Sequence, residues 1–226
     1  MGEVKKGNAL KIATVNNPTV SEYEGEVEYE EITGVEQTLS IDQAKYFAFK
    51  VEDIAGTQSN IDLLKATTEG AGFALADDID QYLAGIVASG GTAKSITADT
   101  YLEAVASIAK IFDDEKAPDL DRWLVMPTSF AKDLTLELAG KITNNTDIVT
   151  SGYIGTVFGI NLFKSVNVSK PLYGHLRAIT FADQITETET IRLQSAFASA
   201  VRGLHVYGAK VTRAKLCGEI TATIGE

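Results

Sequence analysis

The run Arg122-Trp123-Leu124-Val125-Met126-Pro127-Thr128-Ser129-Phe130 lies just past the middle of the chain and changes character halfway through. Its four apolar residues, from Trp123 to Met126, predict a short buried strand. Pro127 suits the first turn of a helix, because its missing N–H would have no partner there. We therefore predict a helix over 127–138, directly after the strand, in a chain that mixes strands and helices.

Downstream of this run, strand patterns alternate with a helical patch at short intervals. Apolar residues favour strands at 159–168 and 177–181, and the polar stretch 184–191 reads as extended chain. A short helix-like patch is predicted at 195–201. The chain then ends in what we predict to be a closing pair of strands, at 203–211 and 216–224.

Upstream of the run, one long helix is predicted over about 59–88. Apolar residues repeat there at spacings of four, three and four, at Leu75, Ile79, Tyr82 and Ile86. Ser59 is its predicted N-cap, and Ser89-Gly90-Gly91 ends it. At 1.5 Å per residue such a helix is roughly 45 Å long. The glycines within it, Gly70 and Gly72, predict a bend or a close packing contact.

A second helix is predicted after Thr97, which we interpret as its N-cap. Its apolar residues repeat with the same spacing, at Tyr101, Val105, Ile108 and Phe112. The polar run that ends in Pro118 stops this helix.

The first fifty residues alternate with a period of two, which is typical of strands. Between 20 and 32, glutamates alternate with tyrosine and valine, so we predict a two-stranded arm with one acidic face. A further strand at 46–51 is predicted to complete the arm. A hairpin of this kind is marginally stable alone.

Composition excludes several classes of protein. The 226 residues carry 20 basic and 31 acidic side chains, a net charge of −11, and 45% are apolar. That apolar content is typical of a globular chain and not of a disordered one. The negative charge argues against a protein that neutralises many DNA phosphates. No apolar run is long enough to cross a membrane, and no signal-peptide core follows Lys5 and Lys6.

The candidate catalytic groups are scattered. Asp77 and Asp80 lie three residues apart on a helix, but no histidine or calcium-loop pattern accompanies them, so a solvated face is favoured. His175 and His205 lack metal-ligand spacing. Cys217 lies in a strand pattern, and we predict that it is a small buried residue. We predict no catalytic, cofactor or metal site; a small hydrolase that uses Asp77, Asp80 and a metal is the weaker alternative.

The order of these elements resembles that of tailed-bacteriophage major capsid proteins. The segments that carry the resemblance are Leu39-Ser40-Ile41-Asp42-Gln43-Ala44-Lys45-Tyr46-Phe47-Ala48-Phe49, the strand-to-helix turn from Trp123 to Phe130, and Arg202-Gly203-Leu204-His205-Val206-Tyr207-Gly208-Ala209-Lys210-Val211. The resemblance implies the α+β Hong Kong 97-like coat fold. It divides the chain into an extended loop (1–58), a peripheral domain with a spine helix (59–117), an axial domain (118–203) and a strand returning to the peripheral domain (204–226). It also implies that the N-terminal arm usual in these proteins is lacking, since the loop begins almost at Met1.

The function implied by the resemblance is that of a coat protein. It self-assembles as pentamers and hexamers into an icosahedral shell around the double-stranded DNA of a phage, and it is not an enzyme. Implied partners are portal, scaffold or decoration proteins, with weak non-specific contact to packaged DNA and no membrane. The implied location is the virion, assembled in the cytoplasm of the host bacterium. The alternatives are an encapsulin-type shell that encloses a cargo enzyme, and a monomeric or small-ring binding module.

Charge complementarity suggests which residues join the subunits. The acidic arm of one subunit is expected to meet basic groups of its neighbours. The candidate contacts are Glu22, Glu24, Glu26, Glu28 and Glu30 on the arm and Lys5, Lys6, Arg122 and Arg202 as basic partners.

Overall fold

The computed structural model describes residues 9–14, 22, 29, 35–52, 63–139, 153–194 and 197–225. Their elements are β1 (Ala9–Thr14), β2 (Val35–Ser40), β3 (Gln43–Glu52), α1 (Leu63–Gly90), β4 (Lys94–Ala98), α2 (Tyr101–Asp114), β5 (Arg122–Pro127), α3 (Thr128–Ala139), β6 (Tyr153–Val157), β7 (Ile160–Ser165), β8 (Leu172–His175), β9 (Ile179–Arg192), β10 (Ala198–Val211) and β11 (Cys217–Ile224). Short 3₁₀ turns, Leu176–Ala178 and Ala214–Leu216, precede β9 and β11. No helix in these ranges is long and apolar enough to cross a membrane.

The strand-to-helix run forms the centre of a six-stranded sheet. Its strand order is β4-β11-β8-β5-β7-β6, with β5 parallel to β7 and antiparallel to β8. Alternation along β5 turns Leu124 and Met126 into the main core, where both are fully buried against α2 and α3. The predicted strand and the helix at 127–138 are confirmed as β5 and α3.

The second helix is confirmed, but its predicted N-cap is wrong. Thr97 lies in β4, and Thr100 caps α2 by accepting a hydrogen bond from the backbone N–H of Glu103. The Glu103 carboxylate accepts in return from the N–H of Asp99 at 2.9 Å. The apolar stripe predicted for this helix is confirmed at Val105, Ile108 and Phe112, which are buried. Threonine at 97 instead follows the period-two alternation of a strand.

A separate three-stranded sheet has the order β3-β10-β9, and its strands are antiparallel. The predicted strand at 46–51 exists as part of β3, but it pairs with β10 and not with β1 or β2, the two described strands of the arm. The predicted helix-like patch at 195–201 is also wrong, since β10 already begins at Ala198. Its small residues Ser199 and Ala200 pair with both neighbouring strands, and Ala198 pairs with Glu52 of β3.

The closing strands do not pair with each other. β10 lies in the three-stranded sheet, whereas β11 lies in the six-stranded sheet between β4 and β8. The segment 177–181 begins in a 3₁₀ turn and becomes a strand only from residue 179, and 159–168 is a strand over residues 160–165. β4, β6 and β8 were not predicted. The domain boundaries at 58, 117 and 203 stay a prediction. The strands β4 and β5, which lie on either side of residue 117, belong to the same sheet.

Helix α1 confirms the long helix, with described residues from 63 onward; the predicted N-cap Ser59 lies outside the described residues. It ends at Gly90, as predicted. A Cβ added at Gly70 or Gly72 would meet no other atom within 4 Å, so neither glycine serves a close packing contact.

Candidate assembly surfaces

The base of the arm is anchored firmly to the three-stranded sheet. Leu39 of β2 is fully buried. Beside it, Gly208 of β10 approaches the chain so closely that an added Cβ would lie 2.2 Å from the Ser40 carbonyl oxygen. Lys210 Nζ donates to the Thr38 carbonyl at 2.8 Å, and Gln37 Nε2 donates to the Thr212 carbonyl at 3.4 Å. The position of β2 at the arm base is therefore set by contacts with the C-terminal end of β10.

The outer part of the arm carries the predicted acidic contacts. Glu22 and Tyr29 are described and both are exposed, Tyr29 to 91%. The other predicted contacts of this region, Glu24, Glu26, Glu28, Glu30, Lys5 and Lys6, lie outside the described residues. A large aromatic ring exposed to this degree forgoes roughly 2 kcal/mol of burial free energy unless another surface covers it.

A polar cluster fastens α1 to the three-stranded sheet. The hydroxyl of Tyr207 on β10 donates a short hydrogen bond of 2.5 Å to Asp78 of α1, and Lys45 of β3 forms an ion pair with the same carboxylate at 3.1 Å. The Tyr207 hydrogen bond, with help from Lys45, lowers the pKa of Asp78. Burial, followed by the Asp78 contact, raises the pKa of Tyr207. Tyr82, one turn along the helix, packs edge-on against the Tyr207 ring.

The opposite face of this sheet is open. Tyr46 of β3 is 77% exposed and lies beside Leu204 of β10, its partner in the strand register. Arg202 is on the same face, where its guanidinium forms an ion pair with Glu189 of β9. Arg202 is thus exposed, as a contact residue must be, but it already has an acidic partner within its own subunit. An exposed apolar and charged sheet face of this kind suits a protein interface.

Arg122 occupies a position unlike the one predicted for a contact residue. Its side chain is 4% exposed and donates to the carbonyls of Ala117 at 2.6 Å and Pro118 at 2.9 Å. It pairs with Asp113 and Asp119, both at 2.8 Å, and lies over the Phe112 ring. The guanidinium therefore holds the α2–β5 loop of its own subunit and is not presented to a neighbour.

Three exposed cations that the sequence did not single out lie together between the two sheets: Arg177, Arg213 and Lys215. The Ala178 carbonyl accepts from the N–H groups of Thr212 at 2.8 Å and Arg213 at 3.2 Å, which brings the two 3₁₀ turns side by side. We call these three residues the basic junction. Their separation in sequence, 36 residues between Arg177 and Arg213, gives no local pattern that would reveal the cluster.

The groups considered for catalysis are dispersed and individually explained by the fold. His175 is 1% exposed and its Nδ1 accepts from the Arg177 N–H, while burial lowers its pKa. Burial also raises the pKa of the Cys217 thiol to about 11. Asp77 accepts from Asn167 Nδ2 at 2.7 Å. His205 is buried within 3.5 Å of Asp183.

No cluster of three metal-ligating side chains occurs in the described part of the chain. An open groove of about 560 Å³ separates α1 from the six-stranded sheet. Its walls are mainly apolar, with Leu83 and Val87 of α1 facing Trp123, Val125 and Phe163 of the sheet. Asp80 borders the groove, and burial together with the neighbouring Asp77 raises the pKa of its carboxyl. Asp77 and Asp80 both line a second groove, beside α3.

Comparison with known proteins connects these surfaces to a family. The family model described as phage capsid protein matches residues 35–216, most of the chain. No curated protein sequence matches. The matched range includes β2 at the arm base, the three-stranded sheet, the six-stranded sheet except β11, and the basic junction.

Solved structures give the same result. A structure from Mycobacterium phage Che8 is 29% identical, with a TM-score of 0.75 over 96% of this chain and 85% of that one. The capsid structure of Cyanophage P-SCSP1u, at 17% identity, has a TM-score of 0.74 over 98% and 85% of the two chains. A virus-like particle from Pyrococcus furiosus, 13% identical, shares the fold with a TM-score of 0.62 over 96% and 87%. The chain belongs to the phage capsid protein family: it is a major capsid protein of the Hong Kong 97-like fold, a structural protein that assembles with copies of itself in the capsid of the virion.

Proposed function

We propose that the protein forms pentamers and hexamers that close into an icosahedral shell around the double-stranded DNA of a phage, and that it acts without catalytic activity. The observation that carries this proposal is the arm. Its base is fixed by the buried Leu39, whereas the described residues of its outer part, Glu22 and Tyr29, are exposed. An arm with a fixed base and an exposed aromatic ring gains its burial from another subunit.

Other exposed apolar side chains support repeated contacts between copies. Large residues on several elements lie largely in solvent in the single chain: Tyr46, Phe73, Leu136, Val166 and Phe197. Phe73, Leu136 and Val166 line one groove beside α1, whereas Tyr46 lies on β3 of the three-stranded sheet, and two separate surfaces suit the head-to-tail contacts that generate rings. A two-fold dimer would need only one such surface.

The net charge fits the proposed contents of the shell. With a charge of −11, the lining repels DNA on average, so contact with the packaged genome is weak and non-specific. Assembly takes place in the cytoplasm of the host bacterium, with portal, scaffold or decoration proteins as partners. These partners follow from the family resemblance.

The test is the size and shape of the assembled protein. The chain is expressed alone and examined by analytical ultracentrifugation, with negative-stain microscopy of the same fractions. We expect closed shells, tubes or capsomer rings in equilibrium with subunits. A monomer at every concentration would contradict self-assembly by this chain.

The contents of natural particles separate the phage coat from an encapsulin-type shell. Particles purified from the natural source are treated with nuclease and then opened. Protected double-stranded DNA is the expected result. A stoichiometric second protein without DNA would instead favour the cargo-enclosing alternative.

A further inference from the structure

The basic junction lies where the two sheets are joined. The structure describes three chain connections between the two sheets, and all three lie at the basic junction. They are the turn after α1, the 3₁₀ turn before β9 and the 3₁₀ turn before β11. Thr92 links two of these connections, since its N–H donates to the Cys217 carbonyl and its hydroxyl to the Ala214 carbonyl, both at 2.8 Å. The cations are therefore displayed on a closely hydrogen-bonded framework.

The cations of the basic junction have no acidic partners among the described residues. Other cations do: Lys45 pairs with Asp78, Lys94 with Glu115, Lys170 with Glu219 and Arg202 with Glu189. Among the described residues, no carboxylate forms an ion pair with Arg177, Arg213 or Lys215. Three adjacent unpaired cations in a chain with a net charge of −11 indicate a partner outside the subunit.

The chain itself contains a segment of opposite charge. Six glutamates lie within the ten residues 22–31, and no lysine or arginine occurs between Lys11 and Lys45. Five of these glutamates alternate along the sequence, so in an extended strand they lie on one side at intervals of about 7 Å. Arginine binds such carboxylates through its two-pronged donor geometry.

The position of the arm base favours a second copy of this chain as the partner. Gln37 of β2 contacts Thr212, which adjoins the basic junction, so the arm base lies beside the junction of its own subunit. Extended chain covers about 3.3 Å per residue, so the predicted extension carries Glu31 roughly 20 Å beyond Gln37. An arm extended in this way would place its acidic segment too far from the junction of its own subunit for direct ion pairs, which leaves the junction to a second copy.

We propose that the basic junction receives the acidic arm segment 22–31 of a neighbouring copy. This inference rests on the proposed self-assembly and identifies a partner surface for the arm. The junction replaces Arg122 and Arg202 as the basic side of the contact, since both of those residues have acidic partners within the subunit. The contact weakens as salt rises, because exposed charges are screened.

The test uses two variants with reversed charge. One carries Arg213→Glu and Lys215→Glu in the junction, and the other carries Glu26→Lys and Glu28→Lys in the arm. Each variant alone opposes like charges, and we expect the protein concentration required for assembly to rise at least tenfold, as measured by sedimentation and light scattering. A 1:1 mixture restores opposite charges only in contacts between different copies, so we expect assembly to recover in the mixture.

Matched controls separate this contact from net charge and from folding. Lys110→Glu with Lys132→Glu changes the charge by the same amount at exposed positions elsewhere, and its assembly threshold should move less than threefold. Thermal melting of the unassembled variants checks the fold; if a reversed variant is unfolded, the neutral pair Arg213→Gln and Lys215→Gln replaces it and should raise the threshold.

Three results would overturn the inference while the wild type still assembles. Normal assembly of the junction variants excludes the junction as a contact. Recovery only when all four reversals are in one chain, with no recovery in the mixture, places the contact within a subunit. Normal assembly combined with loss of retained DNA assigns the junction to nucleic acid. Failure of the wild type to assemble would instead contradict the proposed function.

Discussion

Replacing Arg122 with methionine should destabilise the single subunit and leave its ability to assemble intact once it is folded. The guanidinium is buried and donates to the carbonyls of Ala117 and Pro118. Methionine preserves much of the aliphatic packing on Phe112 but removes every donor. The loss of stability therefore measures how strongly Arg122 holds the α2–β5 loop of its own chain.

The magnitude follows from the contacts. A hydrogen bond from a charged donor contributes about 1.5–3 kcal/mol when its partner is buried, and the two carbonyls dominate the loss. The ion pairs with Asp113 and Asp119 add little, because those side chains are 63% and 91% exposed and water replaces the guanidinium. We expect a loss of about 3 kcal/mol in the free energy of unfolding.

The assay is urea unfolding of unassembled subunits, followed by far-UV circular dichroism. With a slope near 2.5 kcal/mol per molar, a loss of about 3 kcal/mol lowers the midpoint by about 1 M urea. Arg202→Met is the matched control: this arginine is exposed, so its midpoint should move by less than about 0.3 M. An unchanged midpoint for Arg122→Met, together with defective assembly, would refute the intramolecular role and restore Arg122 as a subunit contact.

Three further substitutions examine the arm base, the sheet connection and the helix–sheet cluster. Leu39→Ala should lower the unfolding free energy by about 3 kcal/mol and reduce assembly, measured by urea titration and sedimentation, because it removes a fully buried side chain from the arm base. Gly218→Ala should lower the melting temperature by several degrees, since its Cβ would lie 2.0 Å from the Thr92 carbonyl oxygen. Tyr207→Phe should reduce stability at pH 7 and progressively less below about pH 4, because the native pKa of Asp78 is lowered and the stabilisation it reports is lost on protonation. Equal losses for Tyr207→Phe at pH 7 and pH 3 would contradict that assignment.

Two kinds of element could be predicted from the sequence: helices whose apolar residues repeat over several turns, and strands with clear flanking residues. Helix α2 and the β5–α3 turn each pack one face on the main core, and α1 packs through Val87 on a smaller buried cluster with Leu172 and Cys217. The strands that were missed are short. Strand β8 is only four residues long, and because both of its faces are buried it shows no alternation of polar and apolar residues. Gly174 in this strand leaves room for the Trp123 ring.

Strand partners and charge partners were less predictable than strands. Pairing of β3 with β10 joins segments about 150 residues apart, and local alternation carries no information on such a choice. The same limit applies to Arg122. Its sequence shows a cation next to a strand, whereas its burial depends on the turn that brings Ala117 and Pro118 over it. The basic junction is hidden for the same reason.

The position of the basic junction gives the proposed contact a second consequence. The two sheets are joined by hydrogen bonds among the three connections, including those of Thr92 and Thr212, and by a buried apolar cluster around Val87 of α1. A neighbour's arm bound across Arg177, Arg213 and Lys215 would contact two of these connections at once and stabilise their arrangement. Because ligand binding stabilises the state that it binds, assembly would also rigidify each subunit. Hydrogen exchange of the β8–β9 and β10–β11 connections should therefore slow on assembly, and it should stay fast in assemblies formed at high protein concentration by the junction-reversed variant.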